Sequence, residues 1–339
     1  MKKRASNFEL LRIISMFLIV AGHVTWQTKF SYNELNLLHR ISIQALWMGG
    51  ELGVWGFTLI SAYFLSQSRF KLKSLKKIWG ITLFYSISIY LLLVVFHIIP
   101  INLKDVIKSF FPVLTGNYWY VSAYIGMYLL FPYMNLVIKH LDKKTYQKFI
   151  LLMFLMFSVL PYLKNITVVT NNNSVFNLVY IYFIGGYLRK YSSDFSRDKM
   201  KYYVMLFIGS LLLMLVSIFF LDIIKPKSWF IFLTTSSPLE ALAGVFLFLI
   251  AKNVTISYNG VINKIAASTF AVYLIHCQAI FFPILWGKIV RAEQWQFMPY
   301  TVGYELLIAC IIYCVATLVD FIRIYIVKLY SNIRVKLNN

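Results

Sequence analysis

Residues 8–27 read FELLRIISMFLIVAGHVTWQ, an apolar run that two basic side chains interrupt, Arg12 and His23. A helix of about 20 apolar residues is long enough to cross a hydrocarbon core of about 30 Å. The run therefore predicts a first transmembrane helix. Because ionisable groups at membrane depth are costly and are kept for a reason, Arg12 and His23 are the first candidates for a functional site.

Comparable runs recur along the whole chain, of which 60% is hydrophobic and 13% charged. Soluble domains have about 45–50% apolar and about 25% charged residues, so this composition excludes a water-soluble fold. The pattern predicts an all-α, polytopic transmembrane helical bundle of about ten helices. The predicted spans are 8–27, 43–66, 78–98, 118–137, 148–163, 174–189, 202–221, 234–251, 265–287 and 301–326.

The segments between these spans are short and contain no repeat and no low-complexity linker. We therefore expect residues 1–339 to form a single transmembrane domain, with no extracytoplasmic catalytic domain. Lys2, Lys3 and Arg4 precede the first apolar run as they would in a signal peptide. No cleavage site of small residues follows, so the run is expected to remain as the first helix.

The net charge of +21 is unevenly distributed. With the N-terminus inside the cell, 23 of the 33 Lys and Arg residues fall in cytoplasmic segments and nine in outer segments, and Arg12 alone lies within a span. This asymmetry is typical of the positive-inside rule, and it predicts that both termini are cytoplasmic. The expected surroundings are membrane lipids, and no nucleic-acid partner is expected.

Arg12 and His23 are eleven positions apart. At about 100° per residue, this spacing comes within about 20° of three full turns and gives a rise of about 16 Å. Both side chains therefore project from one helix face, Arg12 toward the cytoplasmic edge. Imidazole can take a proton from a hydroxyl, and a guanidinium can hold phosphate or carboxylate. The alternative is structural: Arg12 reaches the interface and pairs with Glu9, while His23 is hydrogen-bonded inside the bundle.

Other polar residues have structural alternatives of their own. The basic segment after the second span indicates either positive-inside topology with anionic-lipid contact or a phosphate site. It contains Arg69, Lys71, Lys73, Lys76 and Lys77. His276 in the ninth span is, taken alone, a buried hydrogen-bonded histidine. The carboxylates near outer span ends are interpreted as the rim of a solvated cavity. They are Glu51, Glu240 and Glu305.

The cysteines Cys277, Cys310 and Cys314 all fall within predicted spans, so disulfides are not expected. Cys310 and Cys314 share a helix face and are interpreted as small core residues. No metal site is predicted.

Four motifs occur in order on the first, second, fourth and ninth predicted spans. The first is an arginine, ten residues and a histidine, with an acidic residue before the arginine, in residues 8–23. The others are GVWGFTLISAYFL at 53–65, YWYVSAY at 118–124 followed by Tyr128 and Phe131-Pro132, and STFAVYLIH at 268–276. With these motifs the chain resembles the acyltransferase-3 family of integral membrane acyltransferases, which includes O-acetyltransferases of bacterial surface polysaccharides. The resemblance covers nearly the whole chain.

The sequence departs from the family pattern at three places. Ala62 stands where glycine is usual, Trp55 where an acidic residue is common, and lysines fill the first cytoplasmic loop where an arginine pair is frequent. A lysine acts as a point charge rather than a bidentate fork, so this loop is less suited to bidentate phosphate binding.

The resemblance implies transfer of an acyl group, most often acetyl, from cytoplasmic acyl-CoA to a carbohydrate hydroxyl at a bacterial plasma membrane. It implies that Arg12 binds the donor, that Glu9 orients Arg12, and that His23 is the general base or the acyl carrier. The donor site would also include Lys73, Lys76 or Lys77. The substrate pocket would contain Ser61, Tyr63, Trp119, Tyr120, Tyr273 and His276. Acyl-CoA is then a substrate, and no permanently bound cofactor is expected.

A different class of protein shares these features. A transporter or flippase of a lipid-linked glycan is also a polytopic bundle, and a polar helix face can move a headgroup as well as react with it. Consumption of the acyl-CoA thioester distinguishes the enzyme from the transporter.

Overall fold

The computed structural model describes residues 5–163 and 174–337, with side chains described as far as residue 329. The described chain is 79% helical and, within these ranges, contains no strand. Several basic residues that support the predicted topology lie outside this description. They are Lys2, Lys3, Arg4, Lys164 and the side chains of Arg334 and Lys336.

The α-helices of the described residues follow one another with short connections. They are α1 (Ser6–Gln27), α2 (Leu37–Ala45), α3 (Trp47–Leu65), α4 (Leu72–Val95), α5 (Leu103–Phe110), α6 (Trp119–His140), α7 (Lys143–Phe154), α8 (Val175–Lys190), α9 (Met200–Ile224), α10 (Pro238–Asn253), α11 (Gly260–Ala266), α12 (Thr269–His276), α13 (Phe282–Ile284) and α14 (Thr301–Leu337).

Six helical segments are long and apolar enough to cross a membrane. They are Ser6–Gln27, Leu72–Val95, Trp119–His140, Lys143–Tyr162, Arg197–Ile224 and Thr301–Leu329. The remaining predicted spans are helical but shorter or more polar. Helices α8 and α10 have 16 residues each, and α3 contains a glutamate and several glycines. The prediction of an all-helical, multi-pass membrane bundle is confirmed, whereas the count of about ten spans stays a prediction.

The predicted ninth span, 265–287, is wrong as a continuous helix. It is divided into α11, α12 and the short α13. After α12 ends at His276, the side-chain oxygen of Gln278 accepts hydrogen bonds from the backbone N–H groups of Ile280 and Phe281, at 2.8 and 2.7 Å. These bonds satisfy donors that a continuing helix would have used. Pro283 then starts the next turn, where its missing N–H costs nothing.

Helices α1 and α3 form the centre of the bundle, and they touch through glycines. A methyl group built on Gly22 would lie 2.7 Å from the Cα atom of Gly50, and one built on Gly53 would collide with the carbonyl oxygen of Ser15. Small residues allow this backbone approach, which is a common way for helices to pack in membranes. On its other sides α3 packs against α8 and α10, so α3 is surrounded by other helices of the bundle.

One end of the bundle collects the basic residues, and we call it the basic end. Here α1 begins while α6, α8 and α10 finish. The Lys190 ammonium donates to the carbonyl of Ile138 at the end of α6, and the Lys252 ammonium donates to the carbonyl of Phe195. Cations beside helix C-termini interact favourably with the exposed carbonyls. The loop that precedes α6, with Gly116, lies at the opposite end.

Candidate active site

Two histidines that are 253 residues apart in sequence meet near the end of α1. Nδ1 of His23 lies 3.1 Å from Nε2 of His276, and Nδ1 of His276 lies 2.6 Å from the carbonyl oxygen of Val272. Because a carbonyl can only accept, His276 carries its proton on Nδ1, and its Nε2 accepts from Nδ1–H of His23. This hydrogen-bond chain leaves the lone pair of the neutral His23 ring on Nε2.

A cavity of about 340 Å³ adjoins this pair. Its volume lies within the range of about 300–1,000 Å³ that is usual for small-ligand sites. His23, Cys277, Asn117 and Glu51 supply polar atoms to a wall that is otherwise largely aromatic. The aromatic residues are Trp26, Trp47, Phe57, Tyr118, Trp119, Tyr120, Phe270, Tyr273 and Phe282.

Tyrosines hold the α6 side of the cavity against α12. The Tyr118 hydroxyl donates to the carbonyl of Leu274 at 3.0 Å. The backbone N–H of Tyr120 donates to the Tyr273 hydroxyl at 3.3 Å. These contacts fix α12, and with it His276, relative to the cavity wall.

Three glutamates are deeply placed in the bundle. Glu51 of α3 lines the cavity and accepts a hydrogen bond from the Thr235 hydroxyl. Glu240 and Glu305 are both 0% exposed, and the Thr25 hydroxyl donates to Glu305 at 2.6 Å. The interpretation of Glu240 and Glu305 as the rim of a solvated cavity is therefore wrong, because helices enclose both side chains.

Arg12 lies on the same helix face as His23, closer to the basic end. Its Nη1 donates to Oε1 of Glu9 at 3.1 Å, and its side chain is 26% exposed. Met16 and Ile19, which lie between Arg12 and His23 on that face, line the cavity, whereas Arg12 does not. The cavity therefore reaches to within about one helical turn of the guanidinium.

Between α3 and α6, a series of side chains with hydroxyl groups extends from the cavity toward the basic end. Thr58 pairs with Tyr120 at 3.1 Å, and the Ser61 hydroxyl donates to the carbonyl of Phe57 at 3.2 Å. The Tyr124 ring lies between those of Tyr120 and Tyr128, with ring centroids 6.1 and 6.4 Å away. One turn further, the Tyr128 hydroxyl donates to the carbonyl of Lys71 at 3.2 Å. We call this line the polar track; it consists of Thr58, Ser61, Tyr120, Tyr124 and Tyr128.

Of the residues predicted to form the substrate pocket, Trp119, Tyr120 and Tyr273 line the cavity. Ser61 belongs to the polar track instead. Tyr63 lies at the basic end, where its hydroxyl is 3.2 Å from Ser192 Oγ and the Arg189 guanidinium is 4.8 Å from its ring centroid.

The lysines predicted to assist Arg12 lie at the start of α4. The side chains of Lys73, Lys76 and Lys77 are all exposed to the surroundings of the bundle. The structure places them at the basic end but does not bring them to the cavity that contains His23.

The model of a known family, the acyltransferase domain of the acyltransferase-3 family, matches residues 6–320. The chain belongs to this family. It is a multi-pass membrane acyltransferase, and the matched domain contains Arg12, His23 and His276. No curated protein and no solved structure matches the chain.

Cys277 is a polar residue of this candidate site that sequence reasoning missed. Its Sγ lies 3.7 Å from Nδ1 of His23, and it lines the cavity. The adjacent His276-Cys277 pair was the available signal in the sequence. Its meaning depends on the approach of α1 to the end of α12, which sequence spacing does not reveal.

Proposed function

We propose that this acyltransferase moves an acyl group, specifically an acetyl group, from acyl-CoA to a hydroxyl of a surface or lipid-linked carbohydrate. It would act in the plasma membrane of a bacterial cell, with the basic end in the cytoplasm. The observation that carries the proposal is the Val272–His276–His23 hydrogen-bond chain at the wall of an aromatic cavity. Acyl-CoA is a substrate in this proposal, and no permanently bound cofactor takes part.

The cavity wall supports a carbohydrate acceptor. Aromatic faces can cover the apolar C–H face of a sugar ring, while a few polar groups orient it. Trp26 and Trp47 stack with ring centroids 4.5 Å apart, and Glu51 offers carboxylate oxygens to sugar hydroxyls. This combination suits a neutral polyhydroxylated ring better than an extended apolar chain.

The acyl-transfer step uses the free lone pair of His23. Nε2 removes the proton of the acceptor hydroxyl, the hydroxyl oxygen forms a bond to the thioester carbonyl carbon, and the carbon–sulfur bond breaks. The thiolate of CoA leaves and takes up the proton from His23. His276 supports the step because its Nε2 accepts from Nδ1–H of the imidazolium that forms.

His23 can use the same lone pair as an acyl carrier. Nε2 then attacks the thioester carbonyl, the CoA thiolate leaves, and the acceptor hydroxyl later takes the acyl group from the ring and gives up its proton. The two routes differ in whether acyl transfer to the protein occurs without an acceptor. Single-turnover incubation with radiolabelled acetyl-CoA alone distinguishes them.

On the donor side, Arg12 binds a negatively charged group of acyl-CoA, and Glu9 orients it. The exposed lysines Lys73, Lys76 and Lys77 attract the donor to the basic end through long-range charge. The end of acyl-CoA that carries the acyl group then reaches His23 along the polar track. This assignment is supported by the alignment of Arg12, the polar track and the cavity on one side of α1.

Purified protein incubated with radiolabelled acetyl-CoA and a panel of glycans tests the proposal. The His23→Ala variant is expected to lose about 10²- to 10⁴-fold in rate, the usual contribution of a general base. His140→Ala is the matched control, because His140 is exposed at the end of α6. Full activity of a correctly folded His23→Ala protein contradicts the catalytic role. An unchanged thioester with every glycan favours the transporter or flippase.

A further inference from the structure

We propose that His23, His276 and Cys277 also form a binding site for a soft divalent metal ion such as Zn²⁺, and that metal binding switches acyl transfer off. The proposed metal binding is argued from the geometry of the three side chains alone. The proposed inhibition of acyl transfer by the metal also rests on the function proposed above.

Three ligand atoms converge at the end of α12. Nδ1 of His23 is 3.1 Å from Nε2 of His276 and 3.7 Å from Sγ of Cys277. All three atoms lie within 4.8 Å of one another. In a tetrahedral zinc site with Zn–N of about 2.0–2.1 Å and Zn–S of about 2.3 Å, neighbouring ligand atoms are about 3.3–3.6 Å apart. The two pairs that involve His23 therefore match these separations to within a few tenths of an ångström, and the third pair, Cys277 and His276, lies within 4.8 Å.

The tautomer of His276 is already that of a metal ligand. Its Nδ1–H donates to the carbonyl of Val272 at 2.6 Å, which leaves the Nε2 lone pair directed at the centre of the trio. Metal-binding histidines almost always donate their other ring N–H to a carbonyl or carboxylate, which fixes the ring orientation. The backbone of α12 supplies that support here.

The cavity provides room for a fourth ligand. His23 and Cys277 both line it, so a bound ion would be accessible from the cavity, where a water or a substrate oxygen can complete the tetrahedron. Binding breaks the S–H bond of Cys277 and forms a metal–sulfur bond, and the proton leaves to solvent. The ion and thiolate together carry one positive charge, which the Glu51 carboxylate on the same cavity wall can balance.

Metal binding and catalysis require opposite tautomers of His23. Without metal, Nδ1 carries the proton and Nε2 holds the lone pair. With metal, Nδ1 is the ligand, so the proton of the neutral ring moves to Nε2. The nitrogen that would accept a hydroxyl proton or an acyl group is then blocked, and the transferase is inactive whichever of its two routes it uses.

Cobalt binding tests the site without any activity measurement. The full-length chain, with its affinity tag removed and with Cys310→Ser and Cys314→Ser, retains Cys277 as its single cysteine. Titration with Co²⁺ is expected to produce thiolate-to-cobalt charge-transfer absorption and the visible bands of tetrahedral cobalt, saturating at one ion per chain. Added Zn²⁺ should displace the cobalt and abolish both signals.

Cys277→Ser in the same background is expected to lose the charge-transfer band and to weaken metal binding at least about tenfold, a typical effect for a lost ligand or its support. Cys277→Ala provides a second variant should the serine protein fail to fold. No cobalt spectrum in the parent background, or an unchanged spectrum in either folded Cys277 variant, overturns the site.

Inhibition by Zn²⁺ tests the switch, with each variant compared with its own metal-free rate. The Cys310→Ser/Cys314→Ser protein should be inhibited like the unmodified chain, whereas Cys277→Ser should need at least about ten times more Zn²⁺. Cobalt binding with no acyl transfer to any glycan retains the metal site and rejects the proposed function. Acyl transfer without cobalt binding retains the proposed function and rejects the metal site. Full acyl-transfer activity of the protein with bound cobalt rejects the switch.

Discussion

His276 contributes to the proposed chemistry through His23 rather than through the substrate. It is fully buried, and its Nε2 accepts a hydrogen bond from Nδ1–H of His23. His276→Ala should lower kcat about 10- to 100-fold, with less than about a threefold change in KM for acyl-CoA, because transition-state support is lost while binding is kept. His276→Gln, whose amide oxygen can accept from Nδ1–H, should recover part of the rate. Steady-state kinetics measure both, and equal rates for the two variants would argue against a positioning role.

Arg12 is the strongest candidate for donor binding among the single residues. Charge-assisted hydrogen bonds are worth about 1.5–3 kcal/mol, so Arg12→Ala should raise KM for acyl-CoA about 10- to 100-fold. Arg12→Lys should recover only part of this loss, since lysine cannot bind bidentately.

Lys76→Gln is the matched control for Arg12. Lys76 is exposed on α4, and exposed charges contribute about 0–1 kcal/mol, so KM should rise less than about fivefold. A larger effect at Lys76 than at Arg12 would move the donor site to the first turns of α4.

At the scale of elements, the contact between α1 and α3 holds His23 in place. Gly53→Ala should lower the thermal unfolding midpoint in detergent, because the new methyl group meets the Ser15 carbonyl and overpacking costs about 1–3 kcal/mol. Gly80→Ala in α4 is the control, since nothing lies within 4 Å of its added methyl group. It should be neutral or stabilising by up to about 1 kcal/mol through helix propensity. Equal midpoints for the two variants would show that the helices separate easily.

Sequence periodicity predicted the long helices well and the short ones poorly. Helix α5 has eight residues and α2 has nine, and both are too short to be recognised by a search for membrane spans. The break after His276 was also missed, because residues 265–287 are largely apolar and the hydrogen bonds of the Gln278 side chain that follow the helix end depend on local side-chain geometry.

At the scale of the whole molecule, helical spacing indicated which face of α1 carries the candidate site. Helical spacing alone placed Arg12 and His23 on a common face of α1, and the structure keeps Met16 and Ile19 between them on the cavity wall. The partner of His23 could not be predicted in this way. His276 and Cys277 approach it through packing between segments more than 250 residues apart, as the contacts of His23 with both residues show.

Membrane topology is a property of the whole molecule, and thiol labelling measures it. In a background with serine at all three cysteine positions, Leu114→Cys and Ser68→Cys place single thiols at opposite ends of the bundle. Leu114 is 84% exposed at the end of the bundle opposite the basic end, and Ser68 is exposed at the basic end. If the basic end is cytoplasmic, a membrane-impermeant maleimide should label Leu114→Cys in intact cells, and Ser68→Cys only after permeabilisation. The reverse pattern would invert the molecule and contradict the positive-inside assignment.

The end of α12 also determines how the two proposed activities can be inherited. His276 closes the helix and Cys277 begins the turn, so neighbouring codons encode the partner of the proposed catalytic histidine and the proposed ligand that only the metal uses. A single nucleotide change turns a cysteine codon into a serine codon. Substitution at this one position would therefore change the proposed sensitivity of acyl transfer to zinc while leaving the His23–His276 pair intact.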